Sequence, residues 1–260
     1  MIYINNNFNL IERKKLLHKR KRRRKAIFRL SILSITIFTL FINIIINIQN
    51  SNKTVAKFII TSPKNIVTDK FVICIDPGHG DFDIGTEGVN SKEKDIVLAI
   101  GLKLGELLNT DDSIKVIYTR ATDSYPWITT ANDSLKERIN ISKVSKADIF
   151  ISIHCNSNNN VNEAKGIETW YKPNDPESKY LASLIQTELA NLNNSIDRGL
   201  KVYTKENELA VIEKNSAISV LTELGFLSNI SDENFLLSEN GQNQCAQALY
   251  NAIIKYKEEL

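Results

Sequence analysis

The sequence predicts an α/β fold: a mostly parallel, twisted sheet with helices on both faces, in a single domain preceded by one N-terminal transmembrane helix. Three observations carry this expectation. Short β-branched runs alternate with stretches of helical periodicity from residue 71 onward. Several of these runs, such as Ile149-Phe150-Ile151-Ser152-Ile153, are almost continuously apolar, as strands buried on both faces are. A charge-free apolar stretch, residues 30–48, is long enough to cross a bilayer core.

Taken in order, residues 1–29 form a basic tail with 11 Lys and Arg against one acid, Glu12. A basic run directly before an apolar span reads as the cytoplasmic flank of a membrane anchor. The span over 30–48 exceeds a signal-peptide core and no A-x-A-like site follows, so an uncleaved anchor is expected; secretion after cleavage is the alternative. Residues 49–66 read as a linker, and 67–260 as a domain on the extracytoplasmic side of a cell membrane. Within it, strands are expected at 71–75, 114–118, 148–153, 166–171 and 218–224. Helices are expected at 95–108, 135–144, 179–192 and 242–257.

Charge and cysteine usage exclude several functions. The formal charge is +3, but outside the tail 22 basic residues face 29 acidic ones, which argues against a nucleic-acid-binding domain. Cys74, Cys155 and Cys245 are too few and too far apart for a disulfide framework, and no CxxC pair exists. Buried free thiols are expected.

In a sheet of this kind, function gathers beyond the carboxyl ends of strands. The first strand runs into Asp76-Pro77-Gly78-His79-Gly80, the third into His154, and the last into Glu223 and Gly225. His18 lies in the tail, so both histidines of the domain stand at strand ends. Cys155 follows His154 but points to the opposite face of an extended chain, which removes it as a ligand. The residue pattern by itself leaves a metal site and a structural hydrogen-bonding role equally open.

The stretches IDPGHG (75–80), KEKDIVLAI (92–100), YTR (118–120), ADIFISIHCN (147–156), DRGLK (197–201) and LTELGFLSN (221–229) resemble the successive motifs of the zinc-dependent N-acetylmuramoyl-L-alanine amidases. They occur in family order over about residues 70–257. The resemblance implies that His79, Glu93 and His154 ligate Zn2+ and that Glu223 is the catalytic carboxylate. Such a set leaves a position open for water. The metal would polarise the scissile carbonyl and acidify the water, whose proton Glu223 would take and return to the leaving amine. Glu87 is the competing third ligand, but it sits in a Gly-flanked loop, whereas Glu93 opens a helix and aligns with the family's Glu-Lys-Asp run.

Other residues receive plainer readings. Asp95 is expected to cap the following helix. Arg120, Arg138 and Arg198 match arginines of the family motifs, and Arg120 and Arg138 are read as ion-pair or strand-end residues. Asn156 lies on the same side of the chain as His154 and is a candidate substrate contact. Ser142 stands where the family often has asparagine, and Ala217 lies where it often has proline; neither touches a proposed ligand. Trp127, in the segment 122–133, is expected to pack.

The resemblance implies hydrolysis of the amide joining N-acetylmuramic acid to L-alanine in peptidoglycan. A germination-type amidase, acting on spore cortex in muramic-δ-lactam formation, shares this layout. A non-catalytic wall-binding domain is disfavoured by the intact set of two histidines and two glutamates. The expected partners are peptidoglycan and the membrane, with no nucleic acid; the sequence names no activator protein.

Overall fold

A computed structural model describes residues 70–124, 130–160, 163–204 and 208–260. The basic tail, apolar span and linker expected over 1–66 lie outside these residues, as does Trp127. Among the described residues, no helix is long and apolar enough to cross a membrane.

The strands are β1 (Phe71–Pro77), β2 (Ile114–Tyr118), β3 (Ile149–Asn156), β4 (Ile167–Tyr171), β5 (Asp197–Val202) and β6 (Ile218–Phe226). The helices are α1 (Glu93–Leu108), α2 (Ala131–Ser145), α3 (Pro176–Ala190), α4 (Ala210–Glu213), α5 (Ile230–Leu237) and α6 (Glu239–Glu258). The five expected strands and four expected helices are present. Strand β5 and helices α4 and α5 are additions. Asp197–Val202 is a partly exposed edge strand interrupted by Gly199, so it lacks the apolar signature of a central strand.

The six strands form one sheet in the order β2-β1-β3-β6-β4-β5. All neighbouring pairs are parallel except β6–β4, so β4 and β5 run against the other four. Side-chain alternation divides the core in two. Ile73 and Ile75 of β1, with Ile149, Ile151 and Ile153 of β3, enter the larger core beside α1, α3 and α6. Cys74, Phe150 and Leu221 enter a smaller core on the other face, beside α2 and α4. His154, Glu168 and Glu223 alternate with larger-core residues and so share the smaller-core face.

Local chemistry sets the helix starts. Asp175 accepts hydrogen bonds from the backbone N–H groups of Glu177 and Ser178, with Pro176 at the first helical position of α3. Ser238 caps α6 in the same way through Gly241 N–H. The expectation that Asp95 caps α1 is corrected: Lys92 holds the cap position and makes no side-chain cap bond. Instead, the N–H groups of Glu93 and Lys94 donate to the carbonyls of Thr86 and Ile84. The preceding loop thus satisfies first-turn donors that a capping side chain would otherwise serve.

Candidate metal centre and catalytic cleft

Each proposed ligand is placed by a different element. Glu93 opens α1, His154 lies near the end of β3, and His79 follows β1 in the left-handed region at φ 58°. A residue with a Cβ is costly in that conformation, and such backbone persists where the surroundings hold it. Two guanidinium groups do so here. Arg120 donates to the carbonyls of Pro77 (2.9 Å), Gly78 (2.8 Å) and Lys94 (2.7 Å). Arg138 donates to the carbonyls of Pro77 (2.8 Å) and His79 and forms a 2.5 Å ion pair with Asp76. Both arginines therefore brace the turn carrying His79, in keeping with the structural reading: Arg120 ties it to the start of the helix carrying Glu93, and Arg138 ties it to α2 and Asp76.

Asp76 is fully buried. Burial pushes its carboxyl up, but the Arg138 charge and the hydroxyls of Ser152 and Thr119 outweigh burial and hold it below the ordinary carboxylate value. Gly78 allows the turn to lie against His154: a Cβ at this position would stand 2.3 Å from Cε1 of the imidazole.

The three ligand candidates converge. One potential ligand atom from each of His79, Glu93 and His154 lies within 4.8 Å of the other two. Glu93 Oε1 is 3.1 Å from His79 Nε2 and 3.0 Å from His154 Nδ1. It also accepts the Cys155 N–H at 2.9 Å, while Glu93 Oε2 accepts the Thr86 N–H at 2.8 Å. Burial pushes the Glu93 carboxyl up, yet hydrogen bonds with His154 and His79 bring it well below its usual range. Burial lowers His79, and the Glu93 and Asp83 carboxylates more than offset this, raising it. Asp83 lies 2.9 Å from His79 Nδ1, where it orients the ring and leaves Nε2 directed toward Glu93.

Two imidazoles and a buried carboxylate, with an outer carboxylate fixing one ring, match the donor chemistry of a catalytic zinc site. Glu87 is exposed, outside this group, and pairs through its backbone with Lys92. Cys155 projects into the larger core, where burial raises its thiol well above the ordinary value. A cavity of about 310 Å³ opens beside the group, lined by His79, Asp83, Arg138, His154 and Leu221 among others.

Glu223 stands opposite His154 in the parallel β3–β6 register. Its Oε2 is buried with no hydrogen-bond partner among the described residues. Burial, followed by the negative charges of Glu93 and Glu168, raises its carboxyl well above the usual value. A carboxyl so placed holds a proton readily and can exchange it with a reacting group.

Sequence reasoning did not single out Glu168. It pairs with Glu223 in the β4–β6 register, accepts Asn156 Nδ2 at 3.0 Å, and forms a 2.8 Å ion pair with Arg198 Nε. Asn156, considered as a substrate contact, is thus engaged with Glu168. The reversed direction of β4 hid Glu168, because it places the start of that strand at the carboxyl ends of β3 and β6. Glu233 was also missed. Fully buried, it accepts Asn90 N–H and Ser91 Oγ, both at 2.7 Å, and anchors the loop leading into Glu93.

Comparison with known proteins agrees with this architecture. The N-acetylmuramoyl-L-alanine amidase family model matches residues 73–255. An uncharacterized cell wall amidase of Bacillus anthracis is 35% identical over 210 residues, which cover 76% of this chain and 38% of the relative. This chain therefore matches well under half of that relative's length. The crystal structure of an N-acetylmuramoyl-L-alanine amidase from Clostridium difficile 630 superimposes with a TM-score of 0.66 at 34% identity, covering 74% of this chain and 98% of that one. The CwlD amidase from Clostridioides difficile, solved in complex with the GerS lipoprotein, gives 0.66 at 33% identity, with coverages of 74% and 100%.

Proposed function

Because the chain belongs to the N-acetylmuramoyl-L-alanine amidase family, we propose that it hydrolyses the amide between N-acetylmuramic acid and L-alanine of the peptidoglycan stem peptide. The observation that carries this reading is the convergence of His79, Glu93 and His154 beside Glu223, whose buried Oε2 has no hydrogen-bond partner among the described residues. Zn2+ held by His79, Glu93 and His154 would supply Lewis-acid polarisation of the scissile carbonyl and of a water.

The chain's own groups do the rest. Glu93 is held by the Cys155 and Thr86 N–H groups, and His79 by Asp83, so the donor set is ordered by the fold. Glu223 takes the proton of the attacking water and returns it to the departing nitrogen of L-alanine. The charge-free span over 30–48, with the basic run before it, supports an anchored enzyme whose domain faces the wall. A lipoprotein is the class of partner proposed, on the precedent of the CwlD complex.

The test is digestion of vegetative peptidoglycan and of spore cortex by the purified, zinc-supplemented protein, followed by mass spectrometry. New L-alanine amino termini are expected. Preferential release from cortex would select the germination-type reading. No release from either material, or full activity after Glu223→Ala, overturns the proposed reaction.

A further inference from the structure

We infer that Arg198 forms an anion subsite whose guanidinium binds a free carboxylate on the stem-peptide residue that follows L-alanine. This inference rests on the amidase reading above and deepens it.

Three contacts hold the side chain. Its Nε donates to Glu168 Oε2 at 2.8 Å, and its guanidinium carbon lies 4.9 Å from the centre of the Phe226 ring. Its aliphatic stem lies against Gly166, where a Cβ would approach both Cγ and Cδ to 2.9 Å. None of these contacts uses the terminal nitrogens. Among the described residues, no hydrogen bond engages Nη1 or Nη2, and the side chain remains 37% exposed. Glu168 accepts only at Nε and spends its other oxygen on Asn156, so the far edge of the guanidinium stays available. That edge is a rigid pair of donors matched to the geometry of a carboxylate. An ion pair serving only the fold has no need for stem, plane and Nε all to be fixed while two donors face solvent.

Position fits the reaction. The register runs from His154 to Glu223 to Glu168, two strand spacings or about 10 Å. Two residues of extended peptide span about 7 Å. A peptide whose first amide lies at the His79–Glu93–His154 group, and which runs across the sheet toward β5, brings its second residue within reach of the Arg198 side chain. At that distance a carboxylate is bound for orientation and selection, without touching the reacting atoms.

The experiment compares kcat/KM for two N-acetylmuramoyl tripeptides ending in L-lysine amide, one with γ-linked D-glutamate and one with γ-linked D-isoglutamine as second residue. The γ-carboxyl is thus tied up in both, and they differ only by a free α-carboxylate against a neutral amide. Zinc-supplemented wild type, Arg198→Ala, Arg198→Lys and Glu168→Gln are assayed, with thermal unfolding to verify the fold. The wild type is expected to prefer the acid by about ten- to a hundredfold. Arg198→Ala should bring this ratio close to one, mainly through KM, and Arg198→Lys should retain an intermediate preference. Glu168→Gln should keep the preference, because the terminal nitrogens survive. Equal losses on both substrates in Arg198→Ala, or no preference in the wild type, would overturn the subsite. Failure of the wild type to cleave either substrate sinks the amidase reading instead. Calorimetric binding of the two compounds to wild type and Arg198→Ala then decides the subsite separately.

Discussion

Glu168 and Glu223 occupy one register position of the antiparallel β4–β6 pair, and only Glu168 is neutralised by an arginine. Glu223 is left with a buried oxygen that has no hydrogen-bond partner among the described residues, beside the metal-ligand candidates. This asymmetry separates a structural carboxylate from one free to carry a proton. Glu223→Gln is therefore expected to lower kcat by about 10²–10⁴-fold while zinc content and melting temperature stay near wild type. Steady-state kinetics beside metal analysis of the same preparation checks this.

The ligand set makes a sharper claim about metal. Ala at His79, Glu93 or His154 should each abolish retention of zinc through gel filtration, read by mass spectrometry of the metal. Glu87→Ala should retain one zinc per chain, because Glu87 lies outside the converging group. Loss of zinc in the Glu87 variant with retention in the Glu93 variant would reverse the assignment.

The Asp76–Arg138 pair sets an acid limit on stability. The Asp76 carboxyl is lowered in the fold, so its contribution is complete above the ordinary carboxylate value of about 4. It is lost as pH falls through the lower folded value. Asp76→Asn should cost about 3–5 kcal/mol at pH 7, because it strands the buried Arg138 charge. Chemical denaturation at pH 7 and at progressively lower pH should show the gap between wild type and variant closing in acid.

All three cysteines are buried. Burial raises the Cys74 thiol, with the Asp76 charge adding to the effect, and pushes Cys245 up to about 12. Native protein at pH 8 is expected to react negligibly with a thiol reagent, whereas denatured protein should titrate three thiols per chain. Rapid labelling of the native state would contradict the packing of both cores.

Gly78→Ala tests the close approach of the β1 turn to His154. The added methyl group falls on the imidazole, so the ring must move. Weaker zinc binding with little change in secondary structure is expected, by competition with a chelator and by circular dichroism.

Much of this was legible in the sequence because it is written locally. The apolar runs of β1, β3 and β6 mark buried strands, and each leads to its candidate site residue at or just beyond its carboxyl end. Glu93 was named through the resemblance to the family's Glu-Lys-Asp run, and its place at a helix start set it apart from Glu87 in the loop. The misreading of Asp95 came from treating a helix start as a side-chain matter, when the loop at Ile84 and Thr86 supplies the acceptors. Glu168 and Arg198 were harder to see as site residues. They begin strands that run opposite to the rest, so a rule based on carboxyl ends looks past them. Strand direction is decided by pairing across the sheet, and no local pattern records it.

The strand order has a consequence for when the enzyme comes into being. β6 is the last strand in the chain but lies between β3 and β4 in the middle of the sheet. Until it inserts, His154 and Glu168 have no strand between them and Glu223 is absent from the cleft. A chain in which β6 has not yet paired therefore lacks the assembled cleft. The two sides of the cleft are joined only when β6 takes its place between them, which makes the centre a product of long-range pairing and of no single segment.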